Sequence, residues 1–69
     1  MEITEFIKVN DTFRNGDGYT CVVEEVFGYS TDGTIALCVA SVVDGSYDPP
    51  TFFTVREVGE DRLLVGERV

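Results

Sequence analysis

Residues 19–43 read "YTCVVEEVFGYSTDGTIALCVASVV". Two runs of strand length, "YTCVVEEVF" at 19–27 and "TIALCVASVV" at 34–43, flank a polar, glycine-bearing break, "GYSTDG". β-Branched and aromatic residues fill the runs, and Asp-Gly is a turn dipeptide, so the stretch reads as two strands joined by a turn. The second run is apolar on both period-2 faces. Ile35, Leu37, Val39 and Val43 share one face; Ala36, Cys38, Ala40 and Val42 share the other. That pattern predicts a central strand covered on both sides. The first run contains "VVEEV", where Glu24 and Glu25 interrupt the alternation. One of the two carboxylates must point the wrong way unless a bulge inserts there.

Working outward, the same grammar recurs. The breaks "NGDG" at 15–18, "DGSYDPP" at 44–50 and "GED" at 59–61 separate two further runs, "TFFTVREV" at 51–58 and "RLLVGERV" at 62–69. In the former, Phe52 and Phe53 point to opposite faces, and the "VGEDR" segment has room for a short turn before the last strand. Pro49 and Pro50 cannot donate to a ladder, so the residues before Thr51 form a loop or an edge. Ahead of all this, "EITEFIKV" and "DTFR" read as a first strand bent or broken at Asn10. Ile3, Phe6 and Ile7 also sit at helical spacing, which leaves a short N-terminal helix as the other reading. No internal repeat or linker interrupts residues 1–69, and 69 residues make one domain. The expected fold is all-β: a small five-stranded antiparallel barrel or roll, SH3-like in shape, with an OB-like barrel as the alternative. A chain this short buries little surface, so a second copy or a partner would help it.

Charge narrows the function. Thirteen acidic residues against five cations (Lys8, Arg14, Arg56, Arg62 and Arg68) give a net charge of −8. Binding nucleic acid through its phosphates needs a basic face, and anionic membranes need the same. Neither partner is expected. The acids are dispersed rather than blocked. There is no apolar run long enough to cross a membrane as a helix. "MEITEF" is acidic where a secretion signal would be basic, so a soluble cytoplasmic protein is expected. Cys21 and Cys38 lie in the apolar runs "YTCVV" and "ALCVA" and read as reduced core thiols.

"NGDG" resembles part of a calcium loop. Counted from Asp11, Asn15 and Gly16 fall at the fifth and sixth positions, but Phe13 and Val22 occupy the third and twelfth, where ligands are required. Asx-Gly pairs recur at 15–16, 17–18, 32–33 and 44–45, which favours turns. No metal or cofactor is therefore expected. The chain has no histidine, and neither thiol has an evident activating base. Glu24–Glu25 and Glu60–Asp61 are adjacent pairs, which a strand sends to opposite faces. Catalysis is not expected. A peptide groove of the SH3 signalling type needs a Trp and a Tyr partner for its prolines, and the chain has no Trp.

What remains is a set of turn aromatics: Tyr29, Tyr47 and Phe52, the last two beside Asp44 and Asp48. They serve either as anchors for a partner or as lids over a small core. The loop over 44–52 is longer than a hairpin requires, and such loops are often functional. The expectation is a non-enzymatic domain that binds another protein with a basic patch, as an inhibitor, adaptor or accessory factor, in the style of a phage or mobile-element protein. Two alternatives stand beside it. One is an acidic decoy that imitates nucleic acid and blocks a basic groove. The other is a homo-oligomer, a homodimer for instance, whose interface forms a small-ligand pocket.

Overall fold

A computed structural model describes residues 5–43 and 49–69. Its strands are β1 (Thr12–Asn15), β2 (Thr20–Tyr29), β3 (Ile35–Val42), β4 (Thr51–Val58) and β5 (Leu63–Arg68), and no helix occurs among the described residues. They close into a barrel in sequence order, β1-β2-β3-β4-β5. This is a meander without the Greek-key crossover that an OB-type barrel has. The expectation of an all-antiparallel barrel is corrected at one seam. The four hairpin pairs are antiparallel, but β1 meets β5 in parallel, Arg14 beside Val65 and Asn15 beside Gly66. Parity is the reason. Successive strands of a meander alternate in direction, so the first and fifth run the same way, and closure must join them in parallel.

The carboxylate pair in "VVEEV" sits in a bulge. The β2–β3 register steps from Val23 opposite Ala40 to Glu25 opposite Val39, so Glu24 and Glu25 together oppose one residue and both reach solvent. A second shift follows between Val26 and Gly28. The first bulge moves the alternation on by one residue. Val26 then packs against the core while Phe27 turns outward, and the second bulge brings Tyr29 back to the inner side, opposite Ala36.

The core consists of Ile7, Phe13, Cys21, Val23, Ala36, Cys38, Ala40, Phe53 and Val55. Phe13 and Phe53 meet edge to face at 5.3 Å. Cys21 and Cys38 are buried thiols. Burial pushes the Cys38 thiol up to about 11, with a further push from Cys21, so it stays protonated at neutral pH. The reading of β3 as covered on both faces is corrected. Ala36, Cys38 and Ala40 face the core, with Val42 packed against it; Ile35 and Leu37 are exposed and Val39 is half-buried. A single closed sheet has one inside, and among the described residues no second layer lies over β3.

The N-terminal stretch also departs from the expected strand. Residues 5–8 carry no strand, and the chain turns at Val9–Asn10, with Asn10 at φ 77°. The Lys8 amide donates to Asp11 Oδ2 at 2.7 Å, and the Asp11 amide to the Lys8 carbonyl at 3.0 Å. This turn sends Ile7 into the core as a plug. Ile3 lies outside the described residues, and Phe6 and Ile7 are not helical.

"NGDG" is a turn. Gly18 donates to the Asn15 carbonyl at 3.0 Å and holds φ 86°, the left-handed conformation glycine adopts without strain. Asn15 Oδ1 accepts from the amides of Asp17 and Tyr19, both at 3.0 Å, so the side chain that would reach a cation is spent on the backbone. Residues 16–18 make a three-residue loop whose positive φ falls on Gly18.

The turn from β2 to β3 is organised by Asp32. Its Oδ1 accepts from Ser30 Oγ at 2.7 Å, Thr34 Oγ1 at 2.7 Å and the Thr34 amide at 3.1 Å. These donors, the Ser30 hydroxyl foremost, hold the carboxyl down to about 2. A depressed carboxylate contributes stability above its unfolded value of 3.8, lost as pH falls toward 2. An NMR titration should therefore place the Asp32 midpoint near 2, and a Ser30→Ala/Thr34→Ala variant should return it toward 3.8. A wild-type midpoint at the ordinary aspartate value would refute the bonded turn.

Candidate protein-binding face

The two bulges and the one-sided cover of β3 combine on the outer surface of β2, β3 and β4. Cross-strand register sets Glu25, Val39 and Phe52 in one row, then Gly28, Leu37 and Thr54, then Ile35 and Arg56. Phe27 leans across from the second bulge and meets Phe52 with ring centroids 5.5 Å apart and planes tilted by 39°. Phe27 is 52% exposed, Phe52 48%, Ile35 40% and Leu37 38%. Folding has therefore left a contiguous apolar strip in water. Isolated surface apolar residues need no explanation, but a contiguous group marks an interaction surface.

Gly28 shapes the strip. It sits opposite Leu37 and has no side chain to stand beside it. A hollow of about 360 Å³ opens there, walled by Phe27, Tyr29, Ile35, Leu37 and Thr54. The Phe27 and Phe52 rings meet toward the Val39 end of β3, and Phe27 is also a wall of the hollow, which extends toward Ile35. Charged groups frame both ends: Glu24 and Glu25 in the first bulge, and Arg56 opposite Ile35.

Of the residues expected at a binding site, Phe52 lies on this strip. Tyr29 borders the hollow but is also tied inward. Its hydroxyl donates to the Ile7 carbonyl at 3.0 Å, and its ring meets the edge of Phe6 at 5.5 Å and 70°. Burial pushes its phenol above the ordinary tyrosine value. Tyr29 thus clamps the N-terminal plug over one end of the barrel. Asp44, Tyr47 and Asp48 lie outside the described residues. Phe27, Ile35 and Leu37 are additions that strand alternation alone did not single out. The signal for them was present: a chain of five short runs with no helix has no second layer, so a strand apolar on both faces must show one of them.

The polar groups of the strip are two bulge carboxylates, one guanidinium and the hydroxyls of Thr54 and Ser30, and none is buried. Among the described residues, no three Asp, Glu or Cys side chains gather as a metal-binding group. Comparison of the chain with protein-family models, curated proteins and solved structures finds none that matches.

Proposed function

We propose that the protein works by binding protein, through the outer face of β2, β3 and β4, and that it is not an enzyme. The observation that carries this is the Phe27–Phe52 pair, two aromatic rings held together at 5.5 Å while each stays about half exposed. Pre-positioned exposed aromatics supply contact area at low ordering cost, which is what interface anchors do. Phe52 follows Pro49, Pro50 and Thr51, which join it to the segment carrying Asp44, Tyr47 and Asp48. On this reading those residues extend the surface, and their carboxylates, with Glu24 and Glu25, favour partners bearing cations. An inhibitor, adaptor or accessory role in the cytoplasm fits the acidity and the two reduced thiols. The barrel is SH3-like in outline on this proposal, but it carries its contacts on the sheet face rather than in a proline groove. Dispersal of the acids around the strip weighs against the nucleic-acid decoy, which needs carboxylates aligned like phosphates.

Photocrosslinking in the source cell tests the reading. p-Benzoylphenylalanine at position 27, 47 or 52 should give covalent adducts with protein on irradiation. The same group at exposed Thr12, on the outer side of β1, should give few. Equal yields at all four positions, or none, would remove the face as the binding surface.

A further inference from the structure

We infer that the occupant of this face is a second copy of the chain, packed across a two-fold axis that crosses the sheet at Leu37. The inference rests on the reading that the face binds protein, and it commits to which protein. Register supplies the argument. Glu25 lies opposite Val39 on the β2 side of β3, and Arg56 lies opposite Ile35 on the β4 side. Leu37 sits midway between Val39 and Ile35 on β3. The line from Glu25 to Arg56 therefore passes over Leu37, with a carboxylate at one end and a guanidinium at the other. A two-fold axis lying in the interface, across that line at Leu37, exchanges its ends. Each Glu25 then meets the partner's Arg56, and Leu37 meets its own counterpart. An isologous interface must be complementary to itself, and this strip holds both members of the charge pair it needs, acid and base, on either side of an apolar centre.

A partner that was only basic would satisfy Glu24 and Glu25 but would leave Arg56 facing like charge. The net charge of −8 does not forbid self-association, because acids farther than about 8 Å from the contact are largely screened at physiological salt. The patch is small, so the dimer is weak, with dissociation constants in the micromolar range that small interfaces give.

Sedimentation of the purified chain from about 10 µM to about 1 mM should show a monomer–dimer equilibrium across the range where weak interfaces operate. Glu25→Arg sets Arg against Arg at both ends, and Arg56→Glu sets Glu against Glu. Each should raise the dissociation constant at least tenfold. Mixing the two variants should restore a heterodimer, and the double variant should restore a homodimer. Glu25 and Arg56 are both exposed in the monomer, so misfolding would not reproduce this pattern of loss and recovery. A chain that stays monomeric throughout, or single variants that dimerise like wild type, would overturn the proposal. The crosslinking adducts separate its failure from that of the wider reading. Adducts of twice the chain mass support the second copy. Adducts of another mass leave the face as a binding surface but overturn the dimer. A crosslink within one chain gives the face to the chain's own segments and overturns both.

Discussion

Val39→Asp should leave the barrel folded, while Cys38→Asp should unfold it. The two residues are neighbours in sequence and both apolar, so composition alone would treat them alike. Cys38 is fully buried among Phe53, Val55 and the other core side chains. Even its thiol is pushed up to about 11, a measure of how poorly that position tolerates negative charge. An aspartate there is an unpaired charge in an apolar interior, and changes of this kind cost about 4 kcal/mol or more. That is much of the stability a small domain has. Val39 stands on the outer face, half-buried, with Glu25 opposite. An aspartate at that position keeps its water. It loses some apolar contact and gains a like-charged neighbour, for a cost of about 1 kcal/mol. Urea unfolding at pH 7, followed by circular dichroism, measures both. Equal destabilisation would mean that both faces of β3 are covered, as the alternation of the sequence suggested.

This contrast shows how far the sequence can be read. The strand runs, the turns after β1, β2 and β4, the break at Asn10 and the opposite facing of Phe52 and Phe53 all follow from local rules. The bulge at Glu24–Glu25 was legible because two adjacent carboxylates cannot both face water in a regular strand. Its consequence for Phe27 lies beyond local alternation. Alternation from Cys21 and Val23 sends Phe27 inward, and only the one-residue shift at the bulge turns it out beside Phe52. The parallel seam has no local signal at all. It arises when the fifth strand meets the first, and no residue in either strand announces it. Phe52 could be proposed for a site from its place after Pro49 and Pro50. The rest of the strip depends on which face of β3 the barrel encloses, which is a property of the closed sheet and not of any segment.

Gly66→Val should destabilise the fold more than valine at Gly16, Gly18, Gly28 or Gly59, because of that seam. Gly66 is the buried residue of β5, flanked by Asn15 of β1 on one side and Val55 of β4 on the other. A side chain added at Gly66 would run directly into the Phe13 ring. The ring cannot step aside freely, since it is itself buried and packed edge to face on Phe53 at 5.3 Å. The small residue on β5 and the large one on β1 are thus two halves of one packing unit. Gly66→Ala should cost roughly 1–3 kcal/mol, the usual penalty of overpacking, and Gly66→Val should exceed that range. Phe13→Leu, which removes ring volume, should cost stability in the wild-type background but recover part of the loss in Gly66→Ala. Non-additivity of that sign is what residues sharing one space show. Thermal unfolding of the four chains completes the cycle. Additive losses would mean that Phe13 and Gly66 do not share the seam, and the parallel closure of β1 on β5 would have to be given up.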